Sequence, residues 1–294
     1  MVDLTTIINE LETVDQRIID LAQRYFDDLI KPVGSLAKLE SMATRYIAIT
    51  GELEPEVLNY PKKAIMLWTI PSDQTFVNNL DSGKEALTYL AQEAKAEVII
   101  NELKVLDTEK ERIKILTDAL LQGYELTQSC LIQDNYDMIA VGLPGAYTLP
   151  QDWESIQNTN AHEILEACND IRLAAIVGSI ICAAKNKKVV MLDGLASVLG
   201  AFIAAKLAPK VTMYCLAGCV TTERGQEELL KTIGLSPILR LEITQGQGEG
   251  STMAFRLFDA GIRAYKEMAT FSGGGVHAEL EEFSLTQQKA NTGV

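Results

Sequence analysis

Histidine is almost missing from this chain of 294 residues: only His162 and His277 occur. Neither stands in a catalytic or ligand motif, which disfavours Ser-His-Asp and Cys-His enzymes and leaves little from which to build a metal site. No metal is expected. Cysteine is also sparse. Cys130, Cys168, Cys182, Cys215 and Cys219 are scattered, and their odd number argues against a disulfide framework. Cys215 and Cys219 lack the short paired spacing of a zinc site, and buried thiols are the reading that remains. Positive charge is scarce, with 26 Lys and Arg against 40 Asp and Glu and a net charge of −14. Such a chain repels nucleic-acid phosphates, so no nucleic-acid partner is expected. A small phosphate stays possible, because backbone N–H groups at a helix N-terminus can hold one without lysine. No apolar run is long enough to span a bilayer. The opening MVDLTTIINELETVDQR has charges and no apolar core, so it does not read as a signal peptide. A cytoplasmic, reducing location and no membrane partner are the expectations. Two nucleotide and hydrolase motifs are missing as well. Ser82-Gly83-Lys84 lacks the upstream glycine and following Ser or Thr of a P-loop, and there is no G-x-S-x-G elbow.

What is present is ordinary in bulk and ordered in pattern. Hydrophobic residues make up 47% and charged residues 22%, as in soluble globular proteins. The length suffices for a core without staples. Helical spacing runs over Thr5–Leu29, ended by Lys31-Pro32, and Ser35 could cap a second helix through Ile47. Apolar strands then alternate with helical patterns. Strands are expected at Ala64–Ile70, Glu97–Ile100, Met138–Val141, Lys188–Leu192, Lys210–Ala217 and near Ile238–Ile243. Helices are expected at Gln74–Lys95, Glu109–Gln133, Ala161–Lys185, from Asp193-Gly194, from about Arg224, and over Ala254–Phe271. The tail from Ser272 is polar and reads as poorly ordered. This alternation predicts an α/β fold, a three-layer Rossmann-like and mostly parallel sheet. A small helical domain is expected from 1–55 with part of 254–294, beside an α/β domain over 56–253.

In such a sheet, ligands sit outside the carboxyl ends of the strands. Residues that follow strands are therefore the informative ones: Asp73, Gly142, Asp193, Gly218 and Gly246. Gln245-Gly-Gln-Gly-Glu-Gly-Ser251 reads either as a flexible strand-to-helix turn or as a loop whose glycines let backbone pass close to a ligand, leaving Glu249 uncrowded. A dinucleotide loop fits poorly, since Ser251 stands where the third glycine belongs and little chain follows. Asp193 could orient a sugar hydroxyl or cap the helix beginning at Gly194. Thr221 and Thr222 could hold a phosphate at a helix N-terminus, or Thr222 could cap that helix with Gly225 or Gln226 in its first turn. Gly142-Leu-Pro-Gly145 could form an anion nest or a plain turn.

Taken in order, these segments resemble the nicotinate-nucleotide–dimethylbenzimidazole phosphoribosyltransferase (CobT) family. Lys31-Pro-Val-Gly-Ser-Leu-Ala-Lys-Leu-Glu40 resembles its K-P-P-G-S-L-G-x-L-E, and Asn78–Leu87 its N-F-L-x-G-G-A-A-I. Leu192-Asp-Gly-Leu195 resembles V-D-G-F, and Thr221-Thr-Glu-Arg-Gly-Gln226 resembles S-A-E-P-G-H. Gly246-Gln-Gly-Glu-Gly-Ser-Thr-Met253 resembles R-L-G-E-G-S-G-A, and Glu267–Phe271 is identical to E-M-A-T-F. The resemblance implies transfer of phosphoribose from nicotinate mononucleotide to an aromatic lower base, with Glu249 as catalytic base and no cofactor. It implies substrate-binding roles for Asp73, Gly142, Gly145, Asp193, Gly194, Thr221, Thr222, Gly225, Gly248 and Gly250.

The departures fall on loops. Leu143 stands where the family's G-E-M-G-I-G-N-T-T loop has its glutamate, and Gln226 replaces the histidine of S-A-E-P-G-H. Ile70–Thr75 replaces A-D-H-G-V and the long segment after it, which carries much of the lower-base pocket. No G-T-x-N region lies between Ile100 and Met138. A duplicated subunit relieved of half its duties would look like this, as in the two-component enzymes that attach phenol or p-cresol. The chain thus resembles one subunit of a heterodimer with a homologous partner. A self-sufficient homodimer, a non-catalytic scaffold subunit and a nucleotide-cofactor protein are the competing readings.

Overall fold

A computed structural model describes residues 4–104 and 111–273 of the chain. Its sheet contains β1 (Lys63–Thr69), β2 (Ala96–Glu102), β3 (Met138–Gly142), β4 (Val189–Asp193), β5 (Cys215–Val220) and β6 (Leu239–Arg240). The order is β2-β1-β3-β4-β5-β6, and every pairing is parallel. The direction of winding therefore reverses between β1 and β3. Strands β1, β3, β4 and β5 are buried along their whole length, which is why they read as continuous apolar runs rather than alternating ones. The edges differ. Strand β2 is half-buried and carries Glu97 and Glu102, while β6 has two residues, so neither edge offers a long apolar template.

The helices are α1 (Leu4–Asn9), α2 (Gln16–Asp28), α3 (Lys38–Thr50), α4 (Gln74–Asp81), α5 (Ala86–Glu93), α6 (Arg112–Asp134), α7 (Trp153–Ile156), α8 (Ala161–Cys168), α9 (Ile171–Lys185), α10 (Gly194–Leu207), α11 (Gln226–Thr232) and α12 (Glu249–Glu267). Three expected long helices are broken, each by local chemistry. Asp15 separates α1 from α2 and accepts a bond from the Arg17 N–H as an N-cap. Gly83, at φ +69°, separates α4 from α5. Asn169 closes α8 in the left-handed region and Asp170 caps α9. Ser35 is not a cap, because α3 starts only after Ala37 at φ +46°.

Strand β5 starts later than expected. Pro209–Tyr214 forms a 3-10 turn, Pro209 fixing its first residue. Strand β6 is shorter than expected because Glu242 adopts φ +54°, which a strand cannot continue through. Helix α12 begins five residues earlier than expected, at Glu249 itself. Ser272 forms a turn, its N–H donating to Asp28 Oδ1 at 3.2 Å, and the tail beyond 273 lies outside the described residues.

The chain forms two compact units, one of Met1–Val14 with Pro61–Arg256, the other of Asp15–Tyr60 with the segment from Leu257. In the second, Tyr265 packs on Tyr25 and Phe26, with ring centroids 4.5 and 5.1 Å apart. The Lys31–Glu40 motif is structural here. Lys31 Nζ lies 2.8 Å from Glu40 Oε1 in a buried ion pair, and the Leu36 N–H donates to the same oxygen. In the first unit, the N-terminal segment is tied down by a Lys185–Glu10 ion pair and by Lys210 Nζ donating to the Leu11 carbonyl.

Helix α9 packs against both α6 and α10 in that unit. Helix α9 is buried from Leu173 to Ala184 and α10 from Gly194 to Ala204. Small residues allow backbone to meet backbone. A Cβ on Gly178 would sit 2.0 Å from the Leu120 carbonyl oxygen, and one on Gly123 2.2 Å from that of Ala175. Since neither neighbour is a side chain that could swing away, Gly178→Ala is expected to cost about 3 kcal/mol. Chemical denaturation should show a lower midpoint with an unchanged slope. No helix among the described residues is long and apolar enough to cross a membrane.

Candidate active site

All strands point the same way, so their carboxyl ends gather Gly142 at the end of β3, Asp193 at the end of β4 and Thr221 after β5 on one side of the sheet. The glycine loop before α12 crosses there, and its glycines are needed for contact. Gly246 and Gly194 meet backbone to backbone. A Cβ on Gly246 would lie 2.2 Å from Gly194 Cα, and Gly194 is itself at φ +73°. A Cβ on Gly142 would lie 3.2 Å from the Gly246 carbonyl oxygen. Gly248, at φ +119°, faces Ile65 and Leu87, and Gly250 sits against Cys219 and the Asp193 carboxylate.

Asp193 organises this loop. It is 1% exposed, and its Oδ2 accepts bonds from the N–H groups of Gly248 (3.2 Å), Gly250 (2.9 Å) and Ser251 (3.2 Å). It makes no side-chain cap for its own helix α10. The carboxylate is thus a cap supplied by β4 to the start of α12, where unpaired donors and the helix dipole favour negative charge. Burial nevertheless pushes its pKa up to about 7. The charge of Glu249 adds to the rise and the three N–H donors oppose it.

Glu249 is the first residue of α12 and is 9% exposed. Its Oε1 accepts a bond from Gln247 Nε2 at 2.9 Å. Its Oε2 is buried without a hydrogen-bond partner among the described residues, as are Asp193 Oδ1 and Ser251 Oγ. Burial raises the Glu249 pKa above the ordinary carboxylate range, the Gln247 bond lowers it in part, and the charge of Glu85 raises it further. The result is a carboxylate with one oxygen held and one free, biased toward accepting a proton.

The remaining expected residues divide. Gly142, Gly145, Gly194, Gly248 and Gly250 gather with Asp193 and Glu249. Thr221 is buried beside them but internally bonded, its one hydroxyl proton shared between Glu223 Oε2 (2.8 Å) and Gln226 Oε1 (2.9 Å). Thr222 is exposed, its N–H donating to the Ile243 carbonyl. Thr222 does not cap α11, since Gly225, at φ +93°, is the N-cap. Glu227 and Glu228 occupy the first turn of that helix and disfavour an anion there. Asp73 is committed elsewhere, to an ion pair with Arg172 Nη1 at 3.1 Å, and Asp170 holds the Nε and Nη2 edge of the guanidinium, the latter at 2.8 Å.

Three residues not singled out as site residues prove central to the loops. Gln247 links Glu249 to the Gly145 N–H. Glu223 ties the loop after β3 and the first turn of α10 to its own loop by accepting from the N–H groups of Tyr147 (2.6 Å) and Leu195 (2.7 Å) as well as from Thr221. Gln226, fully buried, binds the Thr221 N–H and the Cys219 carbonyl. Each is a polar residue in a glycine- or threonine-bearing loop, but nothing local signals burial. An open cleft of about 610 Å³ between α11 and β6, lined by residues including Lys231, Pro237 and Arg240, involves none of this cluster.

The fold and site define an α/β chain whose parallel sheet presents a buried carboxylate within a glycine-lined loop at the carboxyl ends of its strands; no group of three or more metal-ligating side chains occurs among the described residues. Comparison with known proteins narrows the class. A family model described as phosphoribosyltransferase (DBI_PRT) matches residues 11–134 and 148–276, and the chain belongs to this family, the CobT-type phosphoribosyltransferases. The match pauses over 135–147, the stretch that carries β3 and Leu143. Similar proteins include nicotinate-nucleotide–dimethylbenzimidazole phosphoribosyltransferases from Chlorobium chlorochromatii, 26% identical over 95% of this chain and 99% of that one, and from Geotalea uraniireducens, 27% identical over 91% and 96%. The crystal structure of such an enzyme from Thermus thermophilus shares the fold, with a TM-score of 0.75 at 21% identity, covering 90% of this chain and 99% of that chain.

Proposed function

We propose that the chain transfers phosphoribose from nicotinate mononucleotide to an aromatic lower base, giving an α-ribotide for cobamide assembly. Glu249 Oε2 carries the reading: a buried carboxylate oxygen, free among the described residues, at the strand exit where the related motif carries the family's base. The chemistry suits one carboxylate. The bond from C1′ to the pyridinium nitrogen breaks, and its electron pair leaves with the ring, which departs neutral at nitrogen and needs no acid. The lone pair of the incoming azole's unprotonated ring nitrogen, or of a phenol oxygen, attacks C1′ from the opposite face. The proton of the azole's other ring nitrogen, or of the phenol O–H, passes to Glu249. A phenol with a pKa of about 10 is mostly protonated at neutral pH, so the base is needed as charge develops.

The lower base is an aromatic N–H or O–H nucleophile, a benzimidazole or a phenol such as p-cresol. The chain acts as one subunit with a homologous partner. Two observations support this. Leu143, at 1% exposure, fills the place of the family's loop glutamate. Thr221 and Asp73, which could have gripped the nucleotide, are bonded within the chain, and the first turn of α11 is acidic. The phosphate is then gripped largely by the partner.

The chain should be assayed alone and co-purified with a homologue that retains the loop glutamate, using nicotinate mononucleotide with phenol or dimethylbenzimidazole. Nicotinate release with formation of an α-ribotide is expected from the pair. Turnover by this chain alone would remove the subunit assignment. No product and no calorimetric binding of nicotinate mononucleotide in either state would leave a scaffold with the family fold.

A further inference from the structure

We propose that Gln247 is a positioning residue that sets both the orientation and the protonation of Glu249, and that it ties the base to the loop after β3. The inference rests on the transferase reading above. Gln247 is 2% exposed, and both ends of its amide are used. Oε1 accepts from the Gly145 N–H at 3.0 Å and Nε2 donates to Glu249 Oε1 at 2.9 Å. The two bonds fix each other. A backbone N–H can only donate, so the amide oxygen must face Gly145, and the amide N–H must then face the carboxylate. An amide is the side chain that meets both demands when Glu249 is ionised. A leucine meets neither, and a carboxylate meets only the first.

Close packing on either side holds Gln247 in place. Gly246 lies against Gly194, and Gly248 lies against Ile65 and Leu87. The side chain thus has a fixed root and reaches across 102 residues of sequence to the β3 loop. One consequence is geometric. With Oε1 held, the free Oε2 is presented in a single orientation instead of exchanging with its twin. The other is electrostatic. Burial and the charge of Glu85, the residue before α5, disfavour the ionised form of Glu249, and its own charge in turn raises the pKa of Asp193 at the end of β4. The Gln247 side-chain donor opposes this rise most, with smaller help from the backbone N–H groups of Glu249 and Gln247. The related motif R-L-G-E-G carries a leucine at this position, so the device belongs to this chain, whose β3 loop has lost its own acid at Leu143.

The test compares Gln247→Leu and Gln247→Glu with the wild type, in the subunit composition that turns over, by following kcat/KM against pH. Loss of the donor should move the acid limb up by about one pH unit in Gln247→Leu, giving about a tenfold loss of kcat/KM below the limb and a smaller loss above it. Gln247→Glu, close in shape and able to keep the Gly145 bond, should move it further, since two carboxylates then share one proton. A lowered rate with an unmoved limb in both variants would mark Gln247 as a packing residue and overturn the proposal. Proton linkage of unfolding separates this from the activity itself. The difference in thermal stability between each form and its Glu249→Gln counterpart, followed with pH, reports the Glu249 titration even in a chain that does not turn over. An upward shift of that titration in Gln247→Leu supports the proposal whatever the substrate, and no shift rejects it.

Discussion

Glu249→Gln is expected to lower kcat for ribotide formation by about 10²–10⁴-fold, the range for loss of a general base, while KM for nicotinate mononucleotide changes little. The substitution preserves shape, and the oxygen of the introduced amide can still accept the Gln247 Nε2–H bond, so the loop and the start of α12 should stand. What is lost is the free Oε2 as a proton acceptor. The loss should fall on the chemical step, because the proton moves only as the nucleophile attacks C1′. The wild-type pH profile supplies a second check. Burial raises the Glu249 pKa above the usual carboxylate range, so kcat/KM should climb with pH through that raised value and then level off. In Glu249→Gln this limb should disappear. Stopped-assay kinetics from about pH 5 to about pH 9, a span that brackets a raised carboxylate pKa, would show it. Activity that survives the substitution with its pH profile intact would remove Glu249 from the mechanism.

Asp193→Ala should be the most damaging substitution for stability in this region. Its Oδ2 is acceptor to three buried N–H groups, those of Gly248, Gly250 and Ser251. Each buried donor left unpaired costs about 1–3 kcal/mol. Three together approach the ~5–15 kcal/mol that holds a typical domain folded. Failure to accumulate in soluble form, or a steep drop in denaturation midpoint, is the expected result. Asp193→Asn keeps one oxygen for the three donors and removes the charge, and it should fold.

The pH dependence then distinguishes charge from hydrogen bonding. The Asp193 pKa is pushed up to about 7, first by burial, whereas the unfolded chain gives up the same proton near about 4. Between these values the native state holds a proton that the unfolded state has lost. The contribution of Asp193 is therefore fully present below about pH 4 and is lost as pH rises through about 7. Asp193→Asn should remove that decline, so its disadvantage relative to wild type should shrink from about pH 5 to about pH 8. Glu249→Gln should lower the Asp193 pKa, since the Glu249 charge is part of what raises it. Thermal unfolding from about pH 4 to about pH 8 for the three proteins would test both statements. A wild-type slope equal to that of Asp193→Asn would contradict the assignment.

Much of this architecture is written locally. The apolar runs at Ala64–Ile70, Met138–Val141 and Lys188–Leu192 mark strands buried on both faces, and their alternation with helical spacing implies the parallel sheet. Glycines at 246, 248 and 250 mark a close approach: a Cβ at 246 or 250 would come within 2.4 Å of a neighbouring atom, and Gly248 adopts φ +119°. The order of motifs along the chain points to the family. Helix ends are less legible. The breaks at Asp15, Gly83 and Asn169 each rest on one capping or left-handed residue inside a convincing apolar repeat. Pattern over many residues outweighs such a single signal when only the sequence is read.

The sequence by itself determined the strands, the class of fold and the placement of Glu249 after a strand, because these depend on period, turn chemistry and neighbours along the chain. Only the tertiary structure decided that Asp193 holds the start of α12 from 55 to 58 residues away, that Asp73 is spent on Arg172, and that Gln247 joins Glu249 to Gly145. The physical reason is that a buried polar group bonds to whatever donor or acceptor the sheet order and register bring within about 3 Å. For such residues the partner is chosen across the fold, and the local sequence carries no record of it.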